Sequence, residues 1–218
     1  MTEYRPVGSS ELLENARKYT IFGDVHTWLG SKDVLLSMID HGCFSSVYLE
    51  ALKQGDYRQH GDRLKDRRFG YGFNPEKFDE IIDKSLRRGI EVHGIDVANR
   101  RANGRAARDE TDCVQSWAEY IVQTANGRNL IVVGNFHIDR WSNGNQPECG
   151  DLEDALASRE VKKRAILKIV NLQPHLAANK LRNKKYACRI RLGRYSDLPA
   201  EQQRRSERRP AHYFWEAY

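Results

Sequence analysis

Nowhere in the 218 residues does an apolar run approach the roughly 18 that a membrane-spanning helix requires, so no transmembrane helix is expected. The opening stretch, MTEYRPVGSSELLENARKY, carries charges throughout and lacks the apolar centre of a secretory signal. That argues against export by the secretory route, and for a cytoplasmic protein or an effector translocated by other means. Cysteine is scarce: Cys43, Cys113, Cys149 and Cys188 stand far apart with no CxxC pair, so neither a zinc ribbon nor a redox dithiol is indicated. Free thiols in a reducing compartment are the simplest account. Ser45 and Ser46 are not flanked as a G-x-S-x-G elbow and no cysteine sits in a nucleophile motif. Covalent acyl chemistry therefore lacks support, and water is the nucleophile to expect. No repeat of solenoid type is visible.

What is present suits a globular α/β protein. A hydrophobic share of 39% beside 30% charged residues is typical of such chains, and the length allows a core without disulfide or structural metal. The net charge of +6 hides an asymmetry: residues 1–158 hold 20 Lys/Arg against 25 Asp/Glu, while residues 159–218 hold 16 against 5. We read 1–158 as an α/β core carrying the site and 159–218 as a basic C-terminal part packed on the same domain. Such a tail is either solvated basic surface or a contact for nucleic acid, acidic protein or anionic lipid.

Strand and helix patterns alternate along the front of the chain. Tyr19 to Phe22 reads as a buried strand ending in GDVH, followed by a helix with Ser31 as N-cap and a stripe of Val34, Leu35, Met38 and Ile39. Ser46 to Leu49 is a second strand that delivers Glu50 at its end. The polar stretch from Lys53 to Gly72, without clear periodicity, reads as a substrate loop or a plain surface excursion. Asn74-Pro75 opens a helix whose Phe78, Ile81, Ile82 and Leu86 recur at helical spacing until Gly89. Ile90 to Ile95 is a third strand ending at Asp96. A helix over roughly 105–125 then leads to a fourth strand, Leu130 to Val133, uniformly apolar as expected of a strand covered on both faces. The alternation predicts a mostly parallel sheet with helices on both faces. Ala165 to Leu172 and Tyr186 to Leu192 are two further strands that extend this sheet or form a hairpin beside it. EQQRRSERRP reads as a connector before a terminal aromatic cluster, AHYFWEAY.

The first and fourth strands end alike, IFGDVH with Gly23 and His26, and VVGNFH with Gly134 and His137. Ligands of open parallel sheets bind beyond the carboxyl ends of the strands, so Asp24, His26, Glu50, Asp96 and His137 are expected at one edge. A carboxylate among imidazoles does one of two things. Glu50, partly desolvated, takes a proton from water or a hydroxyl while His137 or His26 donates one to the leaving group. Alternatively His26, Glu50 and His137 hold a divalent metal that lowers the pKa of bound water. Each residue also has a plainer role. An Asp after a strand commonly serves a turn, which applies to Asp24 and Asp96. Glu50 is harder to explain that way, because an acid directly after a buried strand needs a partner. Arg100 and Arg101 with Asn103 would bind an anionic substrate group, brace Glu50, or decorate a helix entry. His93, inside the third strand, is expected to pack or hydrogen-bond locally.

The order GDVH, then YLE with Glu50 24 residues after His26, then GIDVANRRAN, then IVVGNFH with His137 87 residues after Glu50, resembles the erythromycin esterase, ChaN and Tiki superfamily. That superfamily includes toxin protease domains of the Ras/Rap-specific endopeptidase type. The likeness covers roughly residues 19–140. It implies an α/β core and functional roles for Asp24, His26, Glu50 and His137, with Asp24 standing where Glu is frequent. The superfamily spans esterases, metal-dependent and metal-independent peptidases and haem-binding proteins. GDVH and the later GDYRQHGDRL also resemble metallophosphoesterase boxes, but VGNFH lacks the GNH order and no GHxH follows.

The resulting expectation is a hydrolase of the Tiki/ChaN/erythromycin esterase type acting on a protein or on a small-molecule ester or peptide. Glu50 and His137 form its acid/base core, His26 and Asp24 support them, and Asp96, Arg100 and Asn103 contact substrate. The alternatives are a haem- or metal-binding protein without turnover, a metallophosphoesterase, and nucleic-acid binding through the basic tail.

Overall fold

Apolar strands and amphipathic helices alternate in the computed structural model as they do in the sequence. The structure describes residues 8–24, 29–56, 75–96, 110–134, 137–138, 151–171, 190–197 and 212–217. The strands are β1 (Tyr19–Asp24), β2 (Ser46–Lys53), β3 (Gly55–Asp56), β4 (Glu91–Asp96), β5 (Asn129–Gly134), β6 (Ile166–Asn171), β7 (Ile190–Arg194) and β8 (Tyr213–Ala217). They form one sheet in the order β3-β4-β2-β5-β1-β6-β8-β7. From β4 to β8 every neighbouring pair is parallel, while β3 on β4 and β7 on β8 are antiparallel. The expected α/β fold with a mostly parallel sheet is therefore observed, and the C-terminal strands extend it: β6 pairs beside β1, while β7 pairs antiparallel with β8 at the edge and not with β6.

Helices cover both faces. α2 (Leu29–His41) and α3 (Pro75–Arg87) pack together on one side, where α1 (Ser9–Glu14) contacts α2, and α4 (Glu110–Thr124) packs with α5 (Leu152–Ala157) on the other. The pleat sorts β5 accordingly: Leu130 and Val132 enter the α2/α3 core, Ile131 and Val133 the α4/α5 core. β1 and β5 are buried at every position, which is why the centre of β5 reads as a uniformly apolar run and β1 as a run of aromatic and β-branched residues. α3 begins with Pro75 at its first position and is followed by Gly89 at φ +71°, a left-handed conformation that glycine adopts without strain.

Several expectations shift in detail. Helix α2 starts at Leu29, so Ser31 lies inside its first turn and is not its cap. Glu50 and Asp24 lie within β2 and β1, where they had been placed just beyond them. Gly55-Asp56, assigned to a loop, pairs with Gly94 and His93 of β4. Gly94 permits the irregularity of β2 between Leu49 and Lys53, since a Cβ there would run into the Lys53 carbonyl. The rest of the polar stretch, residues 57–74, lies outside the described residues.

The aromatic cluster at the chain end hides β8, which inserts between β6 and β7 and sends Tyr213 to one core and Phe214 to the other. Gly193 of β7 leaves room for the Phe214 ring, which a Cβ would strike. His212, just before β8, ties this edge to the core: the Lys168 backbone N–H donates to its Nδ1 over 3.1 Å, and Arg17 Nη1 stands 3.0 Å from its Nε2. No helix among the described residues is long and apolar enough to cross a membrane.

Two outcomes follow from this edge. Phe214→Ala, truncating a side chain with no exposed surface, should cost about 3–5 kcal/mol in urea unfolding. A cost below about 1 kcal/mol would separate β7 and β8 from the cooperative unit. Burial first, and the Arg17 charge second, push the His212 pKa down from its usual value. The unfolded chain then takes up a proton near pH 6.5 that the folded chain resists, so stability should fall as pH drops below about 6.5. His212→Gln should flatten that part of the profile. An unchanged slope would show that His212 does not contribute.

Candidate active site at the carboxyl ends of β1, β5 and β2

β5 lies between β1 and β2, so the ends of these strands stand side by side although they are distant in sequence. The parallel register sets Gly23 opposite Val133 and Asp24 opposite Gly134. The two G-x-x-H motifs are thus neighbours offset by one residue, with the glycine of the second level with the aspartate of the first.

Glu50 reaches across from β2. Its carboxylate accepts the Gly134 backbone N–H at Oε2 over 2.6 Å, and its Oε1 lies 3.4 Å from His137 Nε2. Both side chains are almost wholly buried, Glu50 at 5% exposed and His137 at 10%. The His137 ring stands edge-on to Trp117 of α4, with centroids 4.8 Å apart and planes at 74°. A buried carboxylate is costly unless its lone pairs are used. Here one oxygen takes a backbone donor from the end of β5, and the other faces an imidazole. The aromatic wall fixes the ring and keeps the local dielectric low, which strengthens the pair.

Asp24 belongs to a different cluster. Both its oxygens accept from Lys32 Nζ, at 2.7 and 2.6 Å, and Ser31 Oγ donates to Oδ1 over 2.6 Å. Lys32 is fully buried, its ammonium 5.1 Å from the centre of the Phe78 ring on α3. Burial pushes the Lys32 pKa down, and the Asp24 charge works against that. Asp24 takes the same side of the pleat as Phe22 of the α2/α3 core, whereas His137 packs on Trp117 of the α4/α5 core. The strand ends therefore carry an ion pair on one face and an acid/imidazole pair on the other.

Asp96 is 8% exposed at the end of β4, where its carbonyl accepts the Gln54 N–H over 2.8 Å; β4 lies beyond β2, further along the edge from β5. His26, Arg100 and Asn103 lie outside the described residues. Of the residues expected to hold a divalent metal, Glu50 and His137 are brought together, and no group of three His, Cys, Asp or Glu side chains forms among the described residues.

Lys32 was not anticipated. It heads the stripe Lys32, Leu35, Leu36, Ile39 on the buried side of α2, and a lysine in an apolar helical stripe is a signal that the sequence did contain. His93 behaves as expected, stacked on Tyr48 with centroids 4.8 Å apart and its Nδ1 3.3 Å from the Tyr120 hydroxyl.

No family model matches the chain, and no curated protein matches it by sequence. Two solved structures resemble its fold over nearly the whole of each chain. The type III effector HopBA1 has a TM-score of 0.53 at 13% identity, covering 99% of this chain and 97% of its own. ChaN of Campylobacter jejuni, whose structure shows cofacial haem binding, has a TM-score of 0.56 at 6% identity, covering 98% and 93%. At such identities the likeness speaks for the fold alone: the sheet that sets Asp24, Gly134 and Glu50 side by side is a ChaN-like fold.

Proposed function

We propose that the chain is a hydrolase that cleaves an ester or peptide bond with water, using Glu50 and His137 as its acid/base pair. The observation that carries this reading is the placement of Glu50, anchored by the Gly134 N–H and facing His137 Nε2 at the carboxyl edge of the sheet. A proton leaves the attacking water for the pair, and Glu50 stabilises the imidazolium while His137 holds it. The same proton then passes to the departing alkoxide or amine. The paired strand-end motifs, which the sheet sets side by side, support this assignment. The likeness to HopBA1 fits a protein delivered into another cell, which would favour a protein or peptide substrate.

On a panel of esters and peptides, Glu50→Gln and His137→Ala should each lower kcat by about 10²–10⁴-fold against a turned-over substrate. Circular dichroism and unfolding should confirm that both variants fold. Folded variants with full activity would overturn the assignment.

The ChaN likeness favours a second reading, haem bound at the same edge without turnover. Among the described residues His137 is the imidazole at this edge, but it is buried and faces Glu50, a geometry suited to proton exchange more than to iron ligation. Haem titration should therefore leave the absorption spectrum as a sum of its parts. A Soret shift abolished by His137→Ala would favour the haem reading.

A further inference from the structure

We propose that Lys32 is a positioning residue for the Glu50–His137 pair, acting from the opposite face of the sheet. The inference rests on the reading above for what the pair does, though not for where it sits. Lys32 and Ser31, in the first turn of α2, close on Asp24, the last residue of β1. Asp24 is in register with Gly134, the last residue of β5, and the Gly134 N–H holds Glu50. A rigid clamp at the end of β1 thus sets the height at which β5 ends, and that height aims the amide at Glu50.

The chemistry of the clamp favours placement over bulk stability. Replacing a buried ion pair by apolar side chains of similar volume is often neutral or stabilising, while leaving one partner alone is strongly destabilising. Lys32 also has a geometric virtue that an apolar residue lacks: its ammonium reaches both carboxylate oxygens with Phe78 behind it, so Asp24 is held in both rotation and translation. Small displacements at a reacting pair carry large rate penalties, which gives such a clamp a function even at no net gain in stability.

The test reads amide hydrogen exchange by NMR, as the rate at Gly134 relative to Ile131 and Val132 in the same strand. Glu50→Ala, which removes the acceptor, should raise that ratio on the order of tenfold. Asp24→Asn/Lys32→Met removes both charges of this pair together and should also raise the ratio. Ser31→Ala should raise it less. A merely structural role would speed all three amides together and leave the ratio unchanged, and that result in the double variant would overturn the proposal. If the double variant does not fold, Ser31→Ala decides: an unchanged ratio there rejects the clamp. The ratio involves no substrate. A raised ratio without ester or peptide turnover would sink the hydrolase reading and keep the clamp, and turnover with an unchanged ratio would do the reverse.

Discussion

The hydrogen bond from the Gly134 amide to Glu50 joins the ends of two strands where the sheet's own ladder stops. A backbone N–H at the end of a buried strand must find an acceptor, and a carboxylate in an apolar edge must find a donor. Each satisfies the other. The bond exists because β5 enters the sheet between β1 and β2, having left the chain order that would have paired β1 with β2 directly. Had β5 been added outside β2, the two G-x-x-H motifs would stand apart and Glu50 would have no amide between them.

A second constraint is charge. Asp24, Lys32, Glu50, Asp96, Glu153 and Lys168 are all buried in a chain whose exposed surface is rich in charge. Compensation is local for five of these: Lys32 with Asp24, Glu50 with an amide and an imidazole, and Lys168 3.0 Å from Glu153 and 3.8 Å from Asp151. Burial raises the Asp151 pKa and the Lys168 charge opposes that. The Lys168 cluster lies beside the middle of β1, opposite Ile21, and holds α5 to the sheet; the strand-end pairs lie where a ligand of an open sheet would approach. Similar physics therefore serves cohesion in one place and a candidate site in the other, and position in the sheet separates them.

The sequence made the framework legible wherever a period dominated. β1, β5 and α3 are strong because burial on both faces, or a single apolar stripe with Pro75 and Gly89 as punctuation, leaves few alternatives. β8 was not legible as a strand, since Tyr213, Phe214 and Trp215 form an aromatic run whose facing partners lie about 20 to 45 residues away in sequence, on β7 and β6. At the site, the two G-x-x-H motifs flagged Asp24 and His137 as strand-end groups, and an acid directly after a buried strand flagged Glu50. Which of them touch is a matter of strand order and pleat, and neither is written in a local pattern. Lys32 was overlooked because a lysine on a helix ordinarily lies at the surface. Lys168, set in ILKIV, carries the same kind of signal: a charge where the period demands an apolar residue.

The split between the two faces alters the meaning of the first motif. By resemblance alone, Asp24 has a functional role beside Glu50 and His137, standing where a longer acid is frequent. Both of its oxygens accept from an ammonium that solvent does not reach, and a serine hydroxyl adds to one of them. A carboxylate so engaged is a poor base, because taking a proton would mean giving up an ion pair in a medium of low dielectric. The shorter Asp side chain suits this arrangement: it keeps the carboxylate close to the end of β1, within reach of the first turn of α2. Glu50, one methylene longer, crosses from β2 to the amide of the neighbouring strand and still presents an oxygen to His137. The difference in length between two acids on strands that flank β5 thus places one carboxylate against the first turn of α2 and the other between the Gly134 amide and His137.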